Sequence, residues 1–170
     1  EWAQVKKHLS SITHIEAERN HDPQALIKAD LELTEALAAH TQDRHGQAWA
    51  ILQNRLGLVS YRLGFDDENR ELLRRALRCF QLALRVYTKD HNPLRWAEIM
   101  SHFAQAAQVL GGLQQSPDAL ATAVNACRNV LEVRDFERAP KAWAASQSNL
   151  GSALFLLGKH TRSINRLEAS

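Results

Sequence analysis

Apolar residues recur at steps of three and four along most of the chain, and this pattern predicts α-helices. One such run is Trp49, Leu52, Leu56, Val59 and Leu63, and a second is Leu73, Ala76, Leu77, Phe80, Ala83 and Leu84. Steps of three and four place these side chains on one face of a helix. No segment shows sustained alternation of apolar and polar residues, so the pattern predicts no β-strands. The predicted fold class is all-α.

The helical pattern repeats with a period of 47 residues. The four tryptophans stand at positions 2, 49, 96 and 143, each followed by Ala, and repeat positions are counted here from each Trp as position 1. Position 21 carries a residue that favours helix N-caps in every copy: Asp22, Asn69, Ser116 and Ser163. A fixed period in this range is typical of repeat architectures. Three complete units and a truncated fourth are predicted, covering residues 2–48, 49–95, 96–142 and 143–170.

Each unit is predicted to be a pair of antiparallel helices. The first helix is expected to end at the glycine that units two to four carry at position 16, in the left-handed conformation that favours Gly. The second helix is expected to begin after position 21, where Pro follows the cap in Asp22-Pro23 and Ser116-Pro117. One pair cannot bury its own apolar stripe, so the pairs are expected to stack into an α-α superhelix, a solenoid, with the Trp rings buried at the junctions.

The unit resembles the tetratricopeptide repeat. Residues 147–158, QSNLGSALFLLG, are similar to that family's first helix. The family's second-helix spacing of Ala, a large apolar residue and Ala is matched by Ala29/Leu33/Ala36, Ala76/Phe80/Ala83 and Ala123/Cys127/Val130. The unit is longer than the family's usual length of about 34 residues, and it is most similar to the long kinesin-light-chain-like repeats of bacterial proteins. It departs from the family at position 12, which lacks the usual large residue in most units. In the first unit, Glu16-Ala17 also stand in place of the family's Leu-Gly.

The resemblance implies a concave groove lined by the first helix of each unit. Side chains at repeat positions 3, 6, 7, 10 and 13 face away from the predicted core, and the polar ones among them can hydrogen-bond an extended peptide. The predicted groove residues are Lys7, His8, Asn54, Arg55, Tyr61, His102, Gln105, Asn149 and Ser152, and Ser101 shares this face. In relatives, groove Asn residues bind peptide backbone, which singles out Asn149. The alternative is that these side chains are merely solvated on an exposed face.

Composition and charge argue against several classes of partner and of protein. A formal net charge of +2 is too small to indicate nucleic acid or a membrane surface as the main partner. No apolar run approaches the roughly 20 residues that cross a bilayer. Two cysteines cannot form a disulfide-dense scaffold, and their core positions fit a cytoplasmic location. The chain begins with Glu1 rather than Met, so we expect it to be a piece of a longer protein.

Motifs typical of catalysis are absent from the sequence. The eight His are scattered, and neither a CxxC, a glycine-rich phosphate loop nor a GxSxG is present. Cys127 occupies the repeat position of Phe80, which predicts a core residue rather than a nucleophile. We therefore expect no enzyme activity, no metal and no cofactor.

A basic stripe on the second helix of unit two has two interpretations. Arg70, Arg74 and Arg78 are four residues apart and share one helix face. They form either a phosphate-binding stripe or a solvated face paired with Glu68 and Glu71. We favour the second interpretation, since no aromatic residues interleave the arginines as readers of single-stranded nucleic acid require.

The sequence thus predicts a non-catalytic protein–protein interaction scaffold that holds a peptide or partner protein in the groove. The alternative is a structural, regulatory or self-association module of a larger multidomain protein. Ser170 falls midway along the predicted second helix of unit four, which leaves an apolar face for a cap or a second copy to cover. A catalytic domain outside this chain is a third hypothesis, which this sequence does not test.

Overall fold

The computed structural model describes residues 22–168, apart from the side chains of Arg44 and of residues 163–168. The described residues form six α-helices and no strand, which confirms the predicted all-α class for this part of the chain. The helices are α1 (Pro23–Ala39), α2 (Gln42–Asp66), α3 (Arg70–Leu84), α4 (Pro93–Gln114), α5 (Pro117–Leu131) and α6 (Pro140–Glu168). The predicted first helix of unit one lies outside the described residues.

The helix starts recur with the period of the tryptophans. The second helices of the units begin 47 residues apart, at Pro23, Arg70 and Pro117. The backbone of α2 is non-helical at His45, with φ −138° and ψ 38°, so its regular part begins at the next residue. The first helices therefore also start 47 residues apart, at Gly46, Pro93 and Pro140. Successive copies of the sequence thus begin their helices in the same register.

The predicted caps of α1, α3 and α5 are confirmed. The side chains of Asp22 and Asn69 each accept hydrogen bonds from two backbone N–H groups in the first turn of the helix that follows. The Ser116 hydroxyl accepts one from the backbone N–H of Ala119 at 3.3 Å. These bonds satisfy N–H groups that a helix start leaves without a partner, which is why the three residues fix the helix starts.

The prediction that glycine at position 16 ends the first helix is wrong. Gly64 and Gly111 lie inside α2 and α4, and the left-handed residues are Glu68 (φ 51°) and Gln115 (φ 52°), four positions later. The residue after each left-handed residue donates its backbone N–H to the carbonyl oxygen of the glycine, at 2.8 and 3.0 Å. Both turns therefore have the Schellman hydrogen bond, with the glycine as its acceptor.

Two of the glycines at position 16, Gly64 and Gly111, are explained by close packing of consecutive helices. A Cβ atom on Gly64 would lie 3.0 Å from both Cγ and the backbone nitrogen of Leu73. A Cβ atom on Gly111 would lie 3.0 Å from Cγ of Leu120 and 3.1 Å from its backbone nitrogen. The first turn of α3 or α5 thus occupies the space that any other side chain would need.

The chain divides between Thr88 and Lys89 into two compact units. In the first, α2 packs against both α1 and α3. Its core cluster is Leu26, Ala29, Leu33, Ala36, Leu52, Leu56, Val59 and Cys79. In the second, α5 packs against both α4 and α6, and α4 also contacts α6. Ala104, Ala126 and Cys127 form a buried cluster there.

The three described tryptophans are half-buried, so the prediction that they are buried at the junctions is wrong in degree. The Lys89 ammonium lies 5.7 Å from the ring centroid of Trp96. The Phe136 ring meets Trp143 edge to face, with 5.4 Å between centroids. Lys89 and Phe136 both occupy repeat position 41, so in these two copies the residue four positions before the first helix lies against the indole of the next repeat.

The last helix departs from the repeat. α6 runs without interruption through Gly158 and Ser163, where the repeat predicts a turn and a new helix, so that prediction is wrong. A Cβ atom on Gly158 would meet no atom within 4 Å, whereas at Gly64 and Gly111 the next helix lies against the glycine. The side of α6 that corresponds to the covered sides of α2 and α4 is therefore open.

The Cys79 thiol should be unreactive in the folded protein. It lies in the core of the first unit, and burial raises its pKa from the ordinary 9.0 to about 11, against the opposing charge of Arg75. At pH 8 we expect the thiol reagent DTNB to modify Cys79 only as fast as the unit unfolds, whereas a small peptide thiol reacts at once. Immediate modification of the native protein would contradict this placement.

The raised thiol pKa also predicts how stability changes with pH. A folded-state pKa above the unfolded one gives a contribution to stability that is complete below pH 9 and is lost as the pH rises towards about 11. Urea unfolding at pH 8 and at pH 10.5 measures the loss. The loss should be smaller in Cys79→Ala, which has no thiol to titrate there.

Candidate functional site

The predicted groove residues of α2 lie in the first unit. Asn54, Arg55 and Tyr61 are all half-buried. Their spacing on the helix places Asn54 and Tyr61 seven residues apart, which is two turns along one face. The predicted groove residues Lys7 and His8 lie outside the described residues.

Tyr61 has the best-defined surroundings of the three. Its ring lies beside that of Phe65, with 6.0 Å between centroids. Burial raises the pKa of the Tyr61 phenol, Arg62 opposes the shift and Asp66 adds to it. Arg62 and Asp66 are themselves paired, with 3.0 Å between Nε and Oδ2. The phenol is therefore protonated at neutral pH and is able to donate a hydrogen bond to a carbonyl oxygen of a partner.

The remaining predicted groove residues lie in the second unit. His102 and Gln105 on α4 are half-buried, as is Asn149 on α6, and Ser152 on α6 is exposed. α4 and α6 are the first helices of consecutive repeats, and they contact each other within the second compact unit. Their polar residues therefore lie on neighbouring helices. This is the arrangement in which an extended peptide would meet more than one repeat.

Ser101 does not belong to the polar face on which the sequence analysis places it. It is buried, and its hydroxyl donates to the carbonyl oxygen of Ala97 at 2.8 Å. Nη1 of Arg134 donates to Ser101 Oγ and to Ser146 Oγ, both at 3.0 Å. The Ser146 hydroxyl donates in turn to the carbonyl oxygen of Ala142 at 2.8 Å. Arg134 thus joins α4 to α6, and Ser101 is a structural residue.

The surroundings of Arg134 follow a feature of the repeat that the sequence analysis missed. Burial lowers the pKa of its guanidinium, and the nearby charge of Glu98 opposes that shift. Arg134 occupies repeat position 39, and the same position holds His40 and Tyr87, both buried. A polar side chain at one register position in three copies was the available signal. In each copy this position lies one to three residues beyond the end of the second helix.

Replacing Arg134 with alanine should destabilise the second unit by about 1–3 kcal/mol, because two charge-assisted hydrogen bonds to buried hydroxyls are lost. Urea unfolding followed by circular dichroism measures this. The control is Arg138→Ala, whose side chain is 90% exposed and paired only with Asp135 in the described contacts. It should change the free energy of unfolding by at most about 0.5 kcal/mol. Equal effects of the two changes would contradict the bridging role of Arg134.

Two arginines of the basic face of α3 form ion pairs. Arg74 forms an ion pair with Glu71, as the favoured interpretation predicts. The neighbouring Arg75 reaches α1, where Nη1 donates to the two carboxylate oxygens of Asp30 at 2.8 and 3.0 Å and Nη2 donates to Thr34 Oγ1 at 3.0 Å. These bonds tie α3 to α1 and leave the phosphate-binding interpretation without support from Arg74 or Arg75.

The comparisons with known proteins give no family. No family model, no curated protein and no solved structure matches the chain. Within residues 22–168, no group of three or more His, Cys, Asp or Glu side chains is placed to hold a metal ion. Among the helices described above, none is both long and apolar enough to cross a bilayer.

Proposed function

We propose that the chain is a non-catalytic interaction scaffold that binds a peptide or partner protein along the polar faces of its first helices. The proposal includes stacking of the helix pairs into a superhelix similar to that of tetratricopeptide repeats. Its groove residues are those of the sequence analysis, without Ser101.

The observation that carries the proposal is the common register of the polar positions on α2, α4 and α6. The regular parts of these helices start 47 residues apart, so residues at one repeat position occupy the same turn of each helix. Arg55, His102 and Asn149 share position 7, and Gln105 and Ser152 share position 10. On α4 and α6, which contact each other in the second unit, hydrogen-bonding side chains therefore recur at the same helix turns, and such spacing suits a partner with a regularly spaced backbone.

The test uses peptides selected from a random library for binding to the intact chain. Isothermal titration then compares the unchanged protein with the triple variant Asn54→Ala, Arg55→Ala and Asn149→Ala. We expect the triple variant to lose at least about tenfold in affinity, which corresponds to 1.4 kcal/mol, while its circular dichroism stays helical.

A matched control uses the same residue types elsewhere. Asn125, Arg128 and Asn129 are exposed on α5, outside the predicted groove. Changing these three to alanine should leave the affinity within about twofold. If both triple variants bind equally well, or if only the control loses binding, the groove does not lie on the first helices.

A second candidate function is a packing or self-association module of a larger protein. It is favoured by large apolar side chains on α6, since Leu154 and Phe155 are 42% and 71% exposed. Self-association predicts a molar mass in light scattering that rises with protein concentration. The groove proposal requires no such rise.

A further inference from the structure

The Arg134 side chain has one hydrogen-bonding edge that the fold does not use. Nη1 donates to Ser101 Oγ on α4 and to Ser146 Oγ on α6, each at 3.0 Å. In the described part of the chain these are its only hydrogen bonds, so Nε and Nη2 have no acceptor there. Neither of these two nitrogens is buried. A ligand can therefore approach the edge that Nε and Nη2 form, which is called the free edge of Arg134 below.

The two serines hold the free edge in a fixed orientation. Each serine hydroxyl donates its own hydrogen to a carbonyl oxygen of its helix, that of Ala97 or Ala142, at 2.8 Å. The serine oxygens thus accept from Nη1 while their hydrogens are already engaged. Because the guanidinium is planar, two bonds at Nη1 also fix the direction in which Nε and Nη2 donate. Donors that are oriented in advance lose less conformational entropy when a ligand binds.

The free edge lies beside residues of the predicted groove. Gln105 follows Ser101 by four residues, which is about one turn along α4. Asn149 follows Ser146 by three residues, which is about one turn along α6. The two helices contact each other. A partner that bonds to Gln105 or Asn149 therefore passes about one helix turn from Arg134.

The charges around the free edge favour a carboxylate as its ligand. Two parallel N–H groups of a guanidinium match the two oxygens of a carboxylate, and such bonds are stronger than those to a neutral carbonyl oxygen. In residues 93–114 and 140–162, the single acidic residue is Glu98. It is paired with Arg95, with 2.9 Å between Nη1 and Oε2, and forms no ion pair with Arg134. The basic residues of the same two stretches are Arg95, Lys141, Lys159 and Arg162.

We propose that Arg134 determines specificity in the groove and that its free edge binds a carboxylate of the partner, from an acidic side chain or from a C-terminus. The inference rests on the proposed function, because the groove residues bring the partner past Arg134. It adds a chemical requirement to that function: the partner carries a carboxylate about one helix turn from the groups that Gln105 and Asn149 bind. The bridge between α4 and α6 remains in place, since it uses Nη1 and the ligand uses Nε and Nη2.

The probe is the tightest-binding peptide from the library selection described above, together with versions of it that each lack one carboxylate. In these versions one acidic residue is changed, Glu→Gln or Asp→Asn, or the C-terminus is amidated. Isothermal titration measures each version against the unchanged chain and against Arg134→Gln, which has neither the charge nor the paired donors. We expect one version to bind the unchanged chain at least about tenfold more weakly than the parent peptide. Against Arg134→Gln the same two peptides should differ by less than about twofold. The version that loses affinity shows whether the carboxylate is a side chain or the C-terminus.

Arg138→Gln is the matched control, because the same change is made at a side chain that is 90% exposed. It should preserve the tenfold difference between the two peptides. Circular dichroism and urea unfolding check that Arg134→Gln is folded at the titration temperature. If it weakens every version by the same factor, the role of Arg134 is structural only and the proposal is overturned. The proposal is also overturned if all versions bind the unchanged chain alike.

Glu98→Gln tests the same carboxylate without disturbing the bridge. Glu98 is 42% exposed and lies close enough to Arg134 for its charge to act on the guanidinium. Removing this negative charge should tighten binding of the parent peptide by about two- to fivefold and leave the version without the carboxylate within about twofold. Unchanged affinity for the parent peptide would overturn the proposal, and this variant decides the matter if Arg134→Gln does not fold.

The outcomes separate this inference from the proposed function. If peptides bind and the triple groove variant weakens them, but no single carboxylate matters, only the inference fails. If a carboxylate matters through Arg134 while the triple groove variant binds as well as the unchanged chain, only the assigned groove residues fail. A library from which no peptide can be selected would contradict both.

Discussion

Replacing Phe80 with alanine should destabilise the first unit by about 3–5 kcal/mol, because a fully buried ring leaves a cavity that its neighbours fill only in part. The side chain is 0% exposed and packs over Gly57 of α2. A loss of this size is a large share of the stability of a small domain. Urea unfolding followed by circular dichroism at 222 nm measures it.

Phe65→Ala removes the same side chain from an exposed position of α2 and serves as the control. Phe65 is 48% exposed, so its loss should cost less than about 1 kcal/mol. Comparable losses in the two variants would contradict the placement of Phe80 at the centre of the first unit.

The contact between Gly57 and Phe80 has a counterpart in the second unit, where the same repeat positions hold Ala104 and Cys127 in one buried cluster. Where the first helix carries the larger Ala104 in place of Gly57, the second helix carries the smaller Cys127 in place of Phe80. Gly57→Ala alone should be destabilising because of the 2.6 Å approach to Phe80. Combined with Phe80→Cys, it should cost less than the sum of the single changes by about 0.5–3 kcal/mol.

Gly64→Ala and Gly111→Ala should each destabilise the protein by about 1–3 kcal/mol, because the added methyl group would press on a neighbouring helix. At Gly64 the contacts include backbone atoms of Leu73 and Asn69 at 3.0 and 3.1 Å, which cannot rotate away. Gly158→Ala, at the same repeat position on α6, should instead stabilise by up to about 1 kcal/mol, because Ala favours helices and meets no neighbour there.

Thermal or urea unfolding of the three variants is sufficient to compare them. The essential result is the sign of the change in stability: alanine should destabilise the protein at Gly64 and Gly111 and stabilise it at Gly158, although all three share one repeat position. If Gly158→Ala were as destabilising as the other two, a neighbouring group would lie against Gly158 in solution. If all three were stabilising, the glycines would not be required by close packing in any copy.

The helix starts could be predicted from the sequence because their causes are local. Asp22, Asn69 and Ser116 bond to backbone N–H groups two or three residues away, and such bonds depend little on the rest of the fold. The helix ends could not be predicted in this way. In sequence, Gly64 and Gly111 resemble the glycines that cap helix C-termini. In the structure they lie inside their helices, and glycine is required there because the next helix packs against it.

α6 also shows that local sequence signals do not by themselves decide where a helix ends. Gly158 and Ser163 provide the local signals that precede a turn in the earlier copies, but α6 continues through both. In those copies the following helix packs against the glycine at position 16, and tertiary packing of this kind supplies most of the stability of a short helix. Without that packing, the continuous helix keeps its own hydrogen bonds.

Helical periodicity predicts which residues share a face of each first helix, but it does not predict their burial or their contacts. Helical spacing predicts that Asn54, Arg55 and Asn149 face away from the core, whereas the structure has all three half-buried. The burial of Ser101 depends on Arg134, which is 33 residues away in sequence. No helical period connects these two residues, so only the folded structure reveals the bridge.

The central claim is that one 47-residue helix pair is repeated and that α6 continues through the positions where α2 and α4 end. Backbone NMR chemical shifts of the labelled protein test it most directly. They should show left-handed residues at Glu68 and Gln115, helices that resume at Arg70 and Pro117, and a continuous helix through Arg162. A left-handed residue at Arg162 followed by a new helix at Ser163, or no break near Glu68 and Gln115, would contradict the claim.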